Sequence, residues 1–268
     1  MSGTRLSSAD ERPGDSVTLS VVIPAYNEIR TIAEVLSRVR RVDVSKEIIV
    51  IDDGSSDGTR EYLGELASQM ETQSKLAKSD DSRVPLEDNN LVVIFQSKNQ
   101  GKGAALRRGF EAARGKIVVI QDADLELNPE EYPKLIEPIL AGRADVVYGS
   151  RFLASGRNGA PISRYLANRI LTLASNLCTG QKLTDVWTGY KTFRSDVLKE
   201  IQLCEDRFGF EPEVTAKLAR LGCRIAEVSV SYDYRTYSDG KKISWKDGFY
   251  GVWCTLRLGI DVRLTDSQ

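Results

Sequence analysis

The sequence predicts an α/β protein built on a doubly wound, mostly parallel sheet with helices on both faces. Three observations carry this. Short apolar runs alternate with stretches of helical periodicity through the first half of the 268 residues. The runs are continuous and rich in Val and Ile, as expected of strands covered on both sides. A polar or glycine-rich segment follows each run, and in such sheets ligands bind beyond the carboxyl ends of the strands.

The elements follow in order. Residues 17–23 read as the first strand, which stops at Pro24. Ile32, Val35, Leu36 and Val39 then recur at helical spacing within 28–40, and 46–51 form a second strand. Asp57 is placed to cap the next helix. Residues 71–90 are polar and aperiodic and read as a long surface connection. A third strand at 91–95, a helix over 103–114 and a fourth strand at 116–120 come next. Pro129 suits the first turn of a helix reaching about Leu140, before a fifth strand at 144–148. Beyond it, 163–178 predict a helix with Leu166, Ile170, Leu173, Ala174 and Leu177 in one stripe. Arg164 and Asn168, four apart, share another face. Residues 209–221 read as a helix and 224–230 as a strand.

Composition narrows the chemistry. The chain is 41% hydrophobic, enough for a sizeable core, and its net charge of −1 points to no nucleic acid partner. It contains no histidine, so any metal would have oxygen ligands, as Mg²⁺ and Mn²⁺ prefer. Cys178, Cys204, Cys223 and Cys254 are too scattered for a metal site or a disulfide framework and suit a cytoplasmic protein. Residues 1–17 read as a polar arm, 18–240 as a catalytic domain with halves 18–127 and 128–240, and 241–268 as an amphipathic extension. Nothing approaches the ~20 apolar residues that span a bilayer. The expectation is a cytoplasmic protein, in solution or peripheral on the cytoplasmic face of a membrane.

Asp122, Asp124 and Glu126 follow the run 117–120 at alternate positions. Alternate residues of a strand face one side, where like charges repel unless a cation or proton lies between them. Asp52 and Asp53 end another strand of the same sheet. These acids are a solvated strand end or a divalent-cation site. Gly101-Lys102-Gly103 opens a helix bearing Arg107 and Arg108: an anion cradle, or a plain helix-initiating turn.

Together "VVIPAYNE", "IIVIDDGSSDGT", "NQGKGAALRRGF", "IQDADLELNP" and "VVYGSRF" resemble the inverting nucleotide-sugar glycosyltransferases of the GT-A fold. With "LTDVWTGYKTFR" and "FGFEPEV", the chain looks like the dolichol-phosphate mannose synthase and polyprenyl-phosphate glucosyltransferase group, over roughly residues 18–247. The resemblance implies a nucleotide pocket of Pro24, Tyr26, Glu28, Ile51 and Asp53, continued by Asp122 and Ala123. It implies Asp122, Asp124 and Glu126 around Mg²⁺ or Mn²⁺, with Asp124 catalytic, and Arg151 and Arg164 on the lipid phosphate of the acceptor. Arg235 and the pair Lys241 and Lys242 match a basic segment over the donor diphosphate. Trp187-Thr188-Gly189-Tyr190-Lys191 stands where the group commonly has Ser-Gly-Phe-Arg.

The implied reaction moves a hexose from UDP-glucose or GDP-mannose to a polyprenyl phosphate. Such an acceptor is already anionic and needs arginines rather than a base. A saccharide or small hydroxyl acceptor would instead need a carboxylate base, for which Asp185, Glu211 and Glu213 are candidates. A non-catalytic nucleotide-sugar binder is the third reading. In the C-terminal stretch, Trp245, Phe249, Val252, Trp253 and Leu256 follow helical spacing beside Lys241, Lys242, Lys246 and Arg257. They suit a helix lying on a membrane, or one packed on the catalytic domain.

Overall fold

A computed structural model describes residues 18–77, 90–154, 156–157, 159–207, 209–234, 250, 253–254 and 257. Strands β1 (Leu19–Ala25), β2 (Lys46–Asp52), β3 (Leu91–Phe95), β4 (Ile117–Ile120), β5 (Val146–Ser150), β6 (Lys191–Arg194) and β7 (Ile225–Ser229) form one sheet in the order β3-β2-β1-β4-β6-β5-β7. All the pairings along β3-β2-β1-β4 and between β5 and β7 are parallel. β6 alone among them runs antiparallel, between β4 and β5.

Helices α1 (Ile32–Arg41), α2 (Thr59–Ala77), α3 (Lys102–Ala112), α4 (Tyr132–Leu140), α5 (Ile162–Thr179), α6 (Ser195–Glu200) and α7 (Phe210–Arg220) surround the sheet. The pleat divides each strand between two cores. Val21, Ile23 and Val119 pack with α1 and α4 through Val35, Leu36 and Leu135. Val22, Ile120 and Val146 pack on the other face with α3 and α7 through Leu106, Phe210 and Val214. Each such buried side chain contributes about 1.5–3 kcal/mol, so strand alternation fixes both faces at once.

One expectation is corrected, and the structure adds three features. α2 runs to Ala77, so the stretch read as a connection from residue 71 begins as helix. β6 and α6 were not anticipated: β6 is four residues long and opens on a lysine. Lys191 is tolerated there because its Nζ donates to the carbonyls of Val186 (2.9 Å) and Thr188 (2.6 Å). Finally, the apolar stripe of α5 points outward. Leu166, Ile170 and Leu173 are 53%, 66% and 60% exposed, while Asn168, Thr172 and Ser175 face the protein. Among the described residues no helix is long and apolar enough to cross a membrane.

Candidate active site

Strand order reverses between β1 and β4, since the chain passes outward from β1 to β2 and β3 and then returns to β1's other side. The crevice above that point is the expected ligand position. After β1, Pro24 is half-buried, Tyr26 is exposed and Asn27 adopts a left-handed φ of 53°. The neighbouring loop holds this rim: Asn27 N–H donates to Ser55 Oγ and Glu28 N–H to Thr59 Oγ1, both at 2.9 Å. Asp57 accepts from Ile29 N–H and Thr59 N–H, so it caps α2 and ties the two loops together.

The acidic segment opposite is a turn and not a continuing strand. β4 ends at Ile120, and Leu125 has φ 63°, so strand alternation does not set the directions of the acids. Gln121 anchors the turn from below, its Oε1 accepting from Tyr132 Oη (2.9 Å) and Tyr190 Oη (3.0 Å). Thr31 Oγ1 donates to the carbonyl of buried Ala123 at 2.7 Å, joining the turn to the start of α1. Asp122 Oδ1 meets Lys102 Nζ at 2.8 Å, and the same ammonium lies 3.4 Å from Glu211 Oε1. Burial alone would lower the Lys102 pKa, but Asp122 and Glu211 outweigh it and raise it. Gly189 is a glycine because a Cβ there would lie 2.1 Å from Asp122 Oδ2.

Asp124 Oδ1 accepts the Glu126 N–H (3.2 Å), and Glu126 Oε2 accepts the Tyr232 hydroxyl. Among the described residues no three acidic or thiol groups stand close enough to hold a metal ion alone. The expected triplet is therefore not a preformed cage. What the turn offers is hard oxygen donors on Asp122 and Asp124, a set that fits Mg²⁺ or Mn²⁺ when substrate phosphates complete it.

Asp52 and Asp53 do not join these acids. Asp52 pairs with Arg60 at 2.8 Å. Buried Asp53 accepts from Gln96 Nε2 (2.9 Å), Gln100 N–H (2.7 Å) and Gly101 N–H (2.8 Å). Burial raises its pKa despite those amides. Its carboxylate thus fixes the glycine loop beside the crevice. Ile51 is wholly buried beneath Gly109 of α3, so it supports the rim and offers no surface of its own. The cradle reading of Gly101 and Gly103 also changes. Cβ atoms there would lie 2.4 Å from Asp206 O and 2.1 Å from Glu205 O, so the glycines admit the protein's own backbone. Asp206 O already accepts the Ala104 N–H.

Arg151 follows β5. Its Nε and Nη2 bond both oxygens of Asp185 at 2.7 and 2.8 Å, and its guanidinium lies 4.9 Å from the Tyr232 ring centroid. Asp185 also accepts from Asn168 of α5 at 2.8 Å. Burial opposes both charges, yet each outweighs it in the other: the Arg151 pKa rises and the Asp185 pKa falls. Tyr232 and Tyr234 stack edge-on with centroids 4.6 Å apart. Burial raises the Tyr234 pKa, opposed by the charges of Arg151 and, more weakly, Arg164. Tyr232 bridges the acidic turn to Arg151.

Of the base candidates, Asp185 is committed to Arg151, and Glu213 accepts from Cys204 N–H and Glu205 N–H while pairing with Lys217. Glu211 keeps Oε2 buried without a hydrogen-bond partner. Arg235, Lys241 and Lys242 lie outside the described residues, as do Trp245, Phe249, Val252 and Leu256. Tyr250 Oη and Arg257 Nη2 both bond Glu205, at 2.7 and 2.5 Å, so this part of the C-terminal stretch packs on the catalytic domain.

Residues 20–202 match the model of Glycosyl transferase family 2. The chain belongs to that family. An undecaprenyl-phosphate mannosyltransferase of Micrococcus luteus is 32% identical over 227 residues, 82% of this chain and 85% of the relative. An undecaprenyl-phosphate 4-deoxy-4-formamido-L-arabinose transferase of Aeromonas hydrophila is 31% identical over 92% of this chain and 67% of its own length. Among solved structures, glucosyl-3-phosphoglycerate synthase from Mycobacterium tuberculosis, in complex with Mn²⁺, UDP and glucosyl-3-phosphoglycerate, superimposes with a TM-score of 0.61. That match is 23% identical and covers 93% of this chain and 86% of that one, which establishes the shared GT-A fold.

Sequence reasoning about this family 2 member missed Tyr232, Tyr234 and Asn168 as parts of the site. A signal existed for the tyrosines. They stand two apart just beyond a predicted strand, so an extended chain turns both to one side.

Proposed function

We propose that the chain transfers a sugar from a nucleotide sugar, UDP-glucose or GDP-mannose, to a polyprenyl phosphate with inversion. The observation that carries this reading is Arg151, held rigidly by Asp185 and joined through Tyr232 to the acidic turn. It supports a cationic acceptor site next to the donor site. The donor's base and ribose would lie against Pro24, Tyr26 and Glu28, above the loop that Asp53 fixes. A phosphate oxygen of the acceptor attacks the anomeric carbon as the bond to the diphosphate oxygen breaks, and the nucleoside diphosphate leaves from the opposite side. Arg151 and Arg164 align the acceptor phosphate, and no base is needed because its nucleophilic oxygen already carries charge. Asp122 and Asp124 would hold Mg²⁺ or Mn²⁺, which when bound offsets charge on the departing diphosphate. Lys102 holds Asp122 in place.

The test incubates purified protein with each labelled donor, Mg²⁺ or Mn²⁺ and a short-chain polyprenyl phosphate. Label should reach the lipid, and Asp124→Ala or a chelator should abolish it. No label in lipid from any donor defeats the reading. The buried, unpartnered Glu211 Oε2 favours a second reading, in which it accepts a proton from a hydroxyl acceptor. Transfer to a saccharide that disappears in Glu211→Gln, with none to lipid, would establish that instead.

A further inference from the structure

The segment that follows β7 joins the acidic turn to Arg151, and most of it is fastened. Ser231 N–H donates to Glu131 Oε2 at 3.1 Å and Asp233 N–H to the Glu126 carbonyl at 3.0 Å. Tyr232 Oη donates to the Glu126 carboxylate, and the Arg151 guanidinium lies over its ring. Tyr234 differs. Its ring stands edge-on to that of Tyr232, yet among the described residues its hydroxyl oxygen is buried and has no hydrogen-bond partner. Tyrosine hydroxyls out of water ordinarily find one. A phenylalanine would fill the same space without leaving a polar group unmatched. Packing alone therefore does not account for a tyrosine here.

The surroundings indicate the partner. Of the charges acting on Tyr234, that of Arg151 is the strongest, followed by Asp185, Glu126 and Arg164. Burial raises its pKa above the ordinary value of about 10, so the hydroxyl keeps its proton and is available as a donor. The two carboxylates are already engaged, Asp185 by Arg151 and Asn168, and Glu126 by Tyr232. What remains for the hydroxyl is an anion drawn to Arg151. That guanidinium commits Nε and Nη2 to Asp185, which leaves Nη1 for a ligand. A phosphate monoester has three terminal oxygens. One must stay free to attack, and a single guanidinium nitrogen does not fix the others.

We propose that the Tyr234 hydroxyl donates a hydrogen bond to a phosphate oxygen of the acceptor, beside the oxygen that Arg151 holds. This adds an acceptor-binding residue to the two arginines, and it rests on the proposed function for the nature of the acceptor. A neutral donor suits the task. It fixes the orientation of the nucleophile, on which the rate depends. It also draws less charge from the attacking oxygen than a further cation would. Tyr232 and the Asp233 N–H tie the same piece of chain to Glu126 of the acidic turn. One short segment thus positions a donor for the acceptor phosphate against the place where the sugar donor binds.

The test is Tyr234→Phe in the full chain, assayed with a short-chain, water-soluble polyprenyl phosphate. The acceptor KM should rise about tenfold or more, as expected on losing one hydrogen bond to a charged oxygen. The donor KM should stay within about twofold, and the urea midpoint should not fall, because the hydroxyl has no partner in the protein to lose. An unchanged acceptor KM overturns the proposal. So does a rise in donor KM alone, which would assign the hydroxyl to the donor. A lowered urea midpoint together with the KM change also overturns it, since the hydroxyl would then serve the fold. If the wild type transfers sugar to no lipid, the proposed function fails, and Tyr234 is judged by equilibrium binding of decyl phosphate. Weaker binding by Tyr234→Phe, again about tenfold, would sustain the phosphate contact. Equal binding, or no binding by the wild type, would overturn it.

Discussion

Lys102 Nζ stands between two carboxylates, 2.8 Å from Asp122 Oδ1 and 3.4 Å from Glu211 Oε1, and so joins the acidic turn after β4 to the first turn of α7. One ammonium offsets two acids that would otherwise repel. Lys102→Met should therefore lower transfer roughly 100-fold and also destabilise the fold, because paired charges left alone in a partly buried site are costly. Adding Glu211→Gln should restore part of the stability. Urea unfolding of the two single variants and the double variant should give a coupling energy of about 1–3 kcal/mol. Strict additivity would show that the lysine does not bridge them.

Gly189 tests the same turn from the other side. Its backbone is not in the left-handed region, so alanine is conformationally acceptable there. The only severe conflict is with Asp122, whose Oδ2 would lie 2.1 Å from the new Cβ. A carboxylate can swing aside, so Gly189→Ala should fold with an unfolding midpoint close to wild type. Transfer should nevertheless fall about 100-fold, as expected when a positioning contact shifts by an ångström or so. A fully active alanine variant would show that the Asp122 orientation seen here does not matter for turnover.

Much of this arrangement was legible in the sequence because buried parallel strands announce themselves. The runs 46–51, 91–95 and 116–120 are apolar, short and bounded by polar loops, and the sheet contains them almost to the residue. The acids of 122–126 were legible as a group but not in direction, because alternation ends with β4 and a left-handed Leu125 follows. β6 was illegible for a different reason. A buried lysine satisfied by backbone carbonyls leaves no apolar signature. The stripe of α5 is legible as a stripe; which way it faces depends on the hydrogen bonds Asn168 donates to Asp185 and Thr172 Oγ1 accepts from Val186 N–H, which no local period encodes.

Arg151 and Asp185 yield a prediction about recognition and another about pH. Lysine cannot reproduce the forked pair, so Arg151→Lys should raise the acceptor KM at least about tenfold while donor affinity changes little. For Asp185, the folded pKa is depressed, its burial being outweighed by Arg151. Between that value and the ordinary one near 4, the unfolded chain binds more protons, so stability rises with pH. The contribution is complete above the ordinary value and lost as pH falls through the depressed one. Asp185→Asn should be less stable than wild type at neutral pH, and the gap should close on acidification below about pH 4. A gap that stays constant in urea unfolding from neutral to acidic pH would exclude this linkage.

Lys191 should act at the opposite end of the scale. It is fully buried, with its ammonium 4.6 Å from the centre of the Tyr148 ring, and burial lowers its pKa to about 8. An unfolded lysine titrates near 10.4. Between those two values the unfolded chain again binds more protons than the folded one, so this residue makes stability rise with pH in that window. Below about 8 it is charged in both states and the folded protein bears the full cost of a buried cation. Lys191→Met should remove that rise, so the wild type should gain stability relative to the variant as pH increases from about 8 to 10. Parallel urea unfolding of the two proteins across this range measures the difference directly, and the common alkaline titration of surface lysines and tyrosines cancels between them. A difference that is flat with pH would mean that Lys191 keeps an ordinary affinity for its proton, held by the Val186 and Thr188 carbonyls against the cost of burial.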